Sequence, residues 1–237
     1  MIIAFYTKNT YNNNQFKLYE VIIMECTSVI TISRQFGSGG REIGQKLAQR
    51  LNIDFYDKEL LSLAAKESGI DPSAFENVDE HAANSLLYGL SLGMYGFVQT
   101  GYSSYEQFSM NDRLYLLQHE IIRKLADKPC VIVGRCADYV LKNRDNCMNI
   151  FIYADLDYRI ERAVTVRNVP KEKAESVIRK TDKARANYYQ FYTEQKWGVP
   201  DNYHLCLNSA KLSVEKAVDV IESYVNAFQS GRSSPNP

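Results

Sequence analysis

The chain has 237 residues, 45% of them hydrophobic, and its 28 basic and 28 acidic residues leave no net charge. That balance gives no global attraction to nucleic acid or an anionic membrane, so any affinity for phosphate must come from local cationic clusters. The five cysteines are odd in number and never spaced C-x-x-C, which argues against disulfide and zinc frameworks and for a reducing cytoplasm.

Residues 1–23 read as an N-terminal extension. Met1 to Tyr6 is too short for the apolar core of a signal sequence, and Tyr11-Asn12-Asn13-Asn14-Gln15 is a polar interruption. Met24 stands as an alternative start, a few residues ahead of the first core strand. One domain is expected over 24–230, followed by a Gly/Ser/Pro-rich tail, 231–237, expected to be disordered.

Val29-Ile30-Thr31-Ile32-Ser33 is a short, β-branched apolar run of the kind found in parallel sheets covered on both faces. It leads into Arg34-Gln35-Phe36-Gly37-Ser38-Gly39-Gly40-Arg41-Glu42, then a helix with Ile43, Leu47 and Leu51 on one face. Strand, glycine turn and helix N-terminus together make an anion site, since the helix offers unpaired N–H groups and a positive dipole end. The phosphate-loop pattern G-x-x-x-x-G-K-[ST] fits in part. With Gly39 as its last glycine, Arg34 takes the first. With Gly40, Gln35 takes the first and Arg41 the lysine, and a guanidinium can serve against phosphate oxygens. In neither register does a hydroxyl fall at the magnesium position; Glu42 is the nearest oxygen donor. A glycine turn that binds nothing is the alternative.

A second strand, Ile53 to Asp57, ends in Asp57-Lys58, either at the ligand edge of the sheet or capping the helix 59–68. Residues 71–111 carry aromatic and apolar residues among glycines, too short a stretch to span a bilayer, and read as a flap. A helix over 112–126 precedes a third strand, 130–134, with Arg135 and Asp138 just past its carboxyl end, where an arginine suits an anionic ligand. Strands follow at 149–154 and 203–208, and Ser213 caps the last helix. Strands alternating with helices predict one parallel sheet. Between the last two strands, 155–200 is helical and cation-rich. Arg185 falls inside an apolar stripe there, where burial demands a partner such as Asp182.

The blocks Ile32 to Gly44, Phe55 to Leu60, Val133 to Leu141 and Asp182 to Tyr189 resemble the signature blocks of the cytidylate-kinase-like family, a divergent branch of the P-loop nucleoside monophosphate kinases. The resemblance runs from about Val29 to Val225. It implies a three-layer α/β/α, Rossmann-like core on a five-stranded parallel sheet, with a monophosphate-binding flap at 71–111 and a lid at 155–200. It also implies phosphoryl transfer from ATP, with Mg2+, to a nucleoside monophosphate such as CMP or dCMP. Carried over by residue, Gly37, Ser38, Gly39, Gly40, Arg41 and Glu42 hold the donor phosphates. Asp57 and Lys58 fall near the acceptor, Arg135 grips its α-phosphate, and Asp138 lies near its base or ribose. Asp182 and Arg185 match the lid's Asp-x-x-Arg, with Arg179 a looser second lid arginine. The expected catalytic set is Arg41, Arg179, Asp182 and Arg185, with Glu42 the candidate metal ligand. The expected partners are small nucleotides, without nucleic acid or membrane. The chain departs from the family in lacking the loop's lysine and hydroxyl. That leaves two alternatives: a kinase for another small acceptor, or a nucleotide sensor without catalysis.

Overall fold

The structure, a computed structural model, describes residues 26–57 and 110–233. The N-terminal extension, Lys58, the helix 59–68 and all but the last two residues of the flap lie outside that range.

Five strands, β1 (Val29–Arg34), β2 (Asp54–Tyr56), β3 (Cys130–Val133), β4 (Cys147–Tyr153) and β5 (Leu205–Asn208), pair in parallel in the order β2-β3-β1-β4-β5. The apolar run read from the sequence is the central strand. Ile32 lies beside Val133 on one side and Ile150 on the other. The helices are α1 (Gly40–Leu51), α2 (Met110–Leu125), α3 (Ala137–Val140), α4 (Leu156–Thr165), α5 (Lys171–Thr193) and α6 (Val214–Ser233).

On one face of the sheet, Ile30, Ile32, Val133 and Ile150 pack with Leu47 of α1 and Ile221 of α6. On the other, Cys130 and Ile132 meet Ile122 of α2, Leu141 beyond α3, and Tyr188 and Tyr189 of α5. Both faces are covered, which is why the strands read as continuous apolar runs and why the fold has three layers. Truncating a fully buried side chain such as Ile32 to alanine costs roughly 2–5 kcal/mol.

Element ends differ from the sequence reading for local reasons. The last strand begins at Leu205, not 203, because His204 spends its ring on the ladder: His204 Nδ1 accepts from the Asn149 N–H at 2.8 Å, while its own N–H donates to Asn149 O. The fourth strand starts earlier, at Cys147, where it pairs with Val29. The last helix continues to Ser233, past Gly231, which was expected to begin the tail. A helix anchored by Val225 and Gln229 propagates past one exposed glycine at a cost of about 1 kcal/mol. The Ser213 cap is present: its Oγ accepts from the Lys216 N–H at 3.2 Å. Among the described residues no helix is long and apolar enough to cross a membrane.

The chain leaves β1 for the edge strand β2, returns to β3 beside β1, then moves to β4 on the other side of β1. In open parallel sheets ligands sit beyond the carboxyl ends of the strands at such a reversal. The glycine loop occupies that place.

Candidate functional site

The loop between β1 and α1 is anchored before it turns. Gln35 extends the sheet, its N–H donating to Ile152 O at 3.0 Å and its side chain accepting from the Ala154 N–H. Ser38, expected among the phosphate ligands, turns inward instead. It is fully buried, its Oγ donates to Gln35 O at 2.9 Å, and its carbonyl accepts from Ser209 Oγ at 2.6 Å. The Ser38 hydroxyl therefore fixes the shape of the loop.

Gly37 and Gly39 both have φ of 79°, the left-handed region that favours glycine. Gly39 caps α1 without any side-chain cap. The first helical bond runs from the Ile43 N–H to Gly39 O, so the amides of Gly40, Arg41 and Glu42 have no helical carbonyl behind them.

Arginines from several elements gather here, most beside a carboxylate. Arg41 Nε donates to Asp57 Oδ2 at 2.6 Å, joining the loop to the end of β2. Arg162 of α4 donates to Glu42 Oε2 at 2.7 Å, and its guanidinium passes 3.5 Å from where a Cβ on Gly39 would sit. Arg159, one turn earlier, pairs with Asp182 of α5 at 2.5 Å, while Asp182 also accepts from the Phe36 N–H at 2.7 Å. Arg185 Nη1 donates to Arg34 O at 2.9 Å and lies 3.9 Å from Asp182. The pairing expected within α5 is thus present but secondary, and Asp182 chiefly clasps α4 and α5 to the loop.

Arg135 stands just past β3 in a left-handed stretch, Gly134-Arg135-Cys136, with φ of 83°, 61° and 54°. Non-glycine residues in that region cost roughly 1–3 kcal/mol each and cluster at ligand sites. Together with Arg34, Arg185, Tyr188 and Trp197, Arg135 lines a cavity of about 50 Å3.

Two expected residues lie elsewhere. Arg179 bonds Glu175 at 2.7 Å on the exposed flank of α5 and is not among the residues gathered at the loop. Asp138 is buried, its carboxylate accepting from Tyr189 Oη at 2.7 Å, and it borders a separate cavity of about 420 Å3 with Lys142, Tyr203 and His204. Burial pushes its carboxyl up to about 6, against the hydrogen bond from Tyr189. Lys58 lies outside the described residues. Arg34, Arg159 and Arg162 were not among the site residues expected from the sequence. Arg159 and Arg162 follow β4 as Arg135 follows β3, and the same strand-end rule finds them.

Phosphate groups fit this site. The first amides of α1 have no helical carbonyl behind them, the cap is a glycine, and Arg159 Nε lies buried without an acceptor among the described residues. A magnesium ion does not fit the described residues as they stand. Glu42 and Asp57 are both held by arginines, no hydroxyl follows Arg41, and no three metal-type side chains cluster among the described residues.

A parallel β2-β3-β1-β4-β5 sheet with a glycine loop between β1 and α1 defines a P-loop, kinase-like α/β protein. Residues 29–211 match the cytidylate kinase-like family, and the chain belongs to that family. It is similar to the crystal structure of an uncharacterised protein from Eubacterium ventriosum, at 30% identity and a TM-score of 0.63, over 84% of this chain and 99% of that one. A gluconokinase from Sinorhizobium meliloti shares the fold at 12% identity and a TM-score of 0.50, over 89% of this chain and all of the other. No curated protein matches the chain.

Proposed function

We propose that this protein transfers the γ-phosphoryl group of ATP to a nucleoside monophosphate, most readily CMP or dCMP. The observation that carries the reading is the gathering of Arg34, Arg41, Arg135, Arg159, Arg162 and Arg185 around one glycine loop at the reversal of a parallel sheet. Phosphoryl transfer asks the protein mainly for aligned substrates and cations around the moving charge.

In this reading the first-turn amides of Gly40, Arg41 and Glu42 receive the donor phosphates, with Arg162 and Arg41 flanking the loop. Glu42 and Asp57 hold those guanidiniums in place until phosphate oxygens replace them. Arg135 and Arg185 hold the acceptor. An oxygen of the acceptor phosphate attacks the γ-phosphorus, and the bond from that phosphorus to the β-bridging oxygen breaks, its electron pair leaving with ADP. The acceptor oxygen carries no proton as a dianion, so the step needs no general base. The segment 155–200 acts as the lid and 71–111 as the acceptor flap, within a domain spanning 24–230.

The test is a screen of nucleoside monophosphates and small hydroxyl acceptors by ATP-dependent ADP release. Turnover with CMP or dCMP supports the reading; turnover only with a hydroxyl acceptor overturns it. The Glu42–Arg162 pair and the missing magnesium donors favour a second reading, a nucleotide sensor. It predicts calorimetric ATP binding that needs no magnesium and produces no ADP.

A further inference from the structure

A small third core lies apart from the two that sandwich the sheet. Ala163 of α4 and Ala174 and Ile178 of α5 are buried in it, flanked by Ile160, Val164 and Val169. Among the described residues every member but one falls between 156 and 178. The exception is Phe36, which packs against this core from the glycine loop and is its largest side chain.

The backbone around Phe36 is held to the same two helices. Its N–H donates to Asp182 Oδ1 of α5 at 2.7 Å. At the next residue, a Cβ on Gly37 would lie 2.7 Å from Arg159 O and 3.1 Å from Arg159 Cα, so the turn rests directly on the α4 backbone. The Arg185 guanidinium stands 6.0 Å from the centre of the Phe36 ring, at the outer limit of a cation–π contact. On its other side the loop is tied to the sheet, through Gln35 to the end of β4 and through Ser38 O to Ser209.

Cradling a phosphate calls for backbone amides and small residues, and gives no reason for a phenylalanine in the turn. Completing an apolar core between two helices does. Those helices carry the charged groups of the site, Arg159 and Arg162 on α4 and Asp182 and Arg185 on α5. Packed cores shift between discrete arrangements rather than deforming smoothly, so a ring shared by loop and helices makes them move together.

We infer that Phe36 is a positioning residue: its ring locks α4 and α5 to the glycine loop, so that donor phosphates on the loop set the placing of the α4 and α5 charged groups. Phe36 touches no reacting atom and acts through the Gly37 turn and Arg159. The inference rests on the phosphoryl-transfer reading above and adds the part that couples the loop to the helices over it.

Phe36→Ala isolates the ring, because the amide that donates to Asp182 remains. The experiment follows hydrogen exchange of the full chain with and without ATP and magnesium, in the wild type, Phe36→Ala and Phe36→Leu, beside steady-state kinetics with CMP. In the wild type, ATP should slow exchange both in the turn from Gly37 to Glu42 and in residues 156–178. In Phe36→Ala it should slow exchange in the turn alone. The same variant should lose at least about tenfold in kcat while KM for CMP moves less than about threefold, and Phe36→Leu, which refills the core, should recover most of the loss. Should Phe36→Ala fail to fold, Ile178→Val, which thins the same core from α5, takes its place with a smaller loss of the same pattern. Protection of 156–178 that is unchanged in the variant, or a loss confined to KM, overturns the inference. Coupled protection without ADP release from any nucleoside monophosphate would sink the transfer reading alone, and a turn that gives no response to ATP would sink both.

Discussion

Removing the carboxylate of Asp182 tests whether α4 and α5 are clasped to the loop. In Asp182→Ala the Phe36 amide loses its acceptor at 2.7 Å and Arg159 loses its partner at 2.5 Å. The two side chains of the ion pair are 12% and 17% exposed, so water can compensate only in part. A hydrogen bond to a charged group contributes about 1.5–3 kcal/mol, and breaking a fully buried pair costs about 3–5 kcal/mol. Both effects stem from one carboxylate and overlap, which puts the loss near 3 kcal/mol rather than at their sum. Arg159 Nε already lies buried without an acceptor, so the stranded guanidinium cannot easily find another. For a chain of this size each kcal/mol moves the melting temperature by about 2–4 °C, giving a drop of about 6–12 °C. Differential scanning calorimetry reads it directly. Asp182→Asn keeps an acceptor for Phe36 but removes the charge, and should lose about half as much. If Asp182→Ala melts within about 2 °C of the wild type, the clasp contributes nothing and the docking of α5 on the loop is refuted.

Other features give independent checks. The Asp138 carboxyl is pushed up to about 6 by burial from an ordinary value of 3.8, so the folded state binds more protons than the unfolded one between those values. Its contribution is fully present below pH 3.8 and lost as pH rises through about 6. Asp138→Asn should flatten that part of a stability–pH profile from urea titrations, and an unchanged slope would contradict the assignment. Gly37→Ala places a Cβ 2.7 Å from Arg159 O at a positive φ, so the α4 backbone must shift. Its urea midpoint should fall by the equivalent of at least about 2 kcal/mol, with weakened ATP binding by calorimetry; wild-type values for both would rule out this packing. Burial pushes the Cys130 and Cys147 thiols up to about 12. In native protein an aromatic disulfide reagent should label the partly exposed Cys206 first, and all five free thiols only after denaturation. Fast native labelling of Cys130 or Cys147 would show that the core is not closed over them.

What the sequence revealed was whatever is encoded locally. The β-branched run of β1, the Gly37 to Gly40 turn and the Ser213 cap each depend on neighbours a few residues away, and each appears where the pattern put it. The ion pairs of the site do not. Arg162 meets Glu42 across 120 residues, and Asp182 meets the Phe36 amide across 146, contacts that follow only once the crossovers bring α4 and α5 over the loop. Spacing along α5 suggested Arg185 for Asp182, but tertiary packing supplied a closer cation in Arg159. Arg34 shows the same limit. Matching a motif marked it as a misfit at a glycine position, whereas Gly40 and Gly134 leave room for its side chain. Arg179 shows the converse: it shares α5 with Arg185, but faces outward to Glu175.

The arginines gathered at the glycine loop are proposed to move a phosphoryl group onto a nucleoside monophosphate. Phosphorus NMR of purified protein with ATP, magnesium and CMP tests it most directly. CDP and ADP should appear in equal amounts, slowed roughly 10²–10³-fold by Arg185→Ala in protein that still folds. ATP that binds yet leaves CMP, dCMP and every other nucleoside monophosphate unchanged would contradict it.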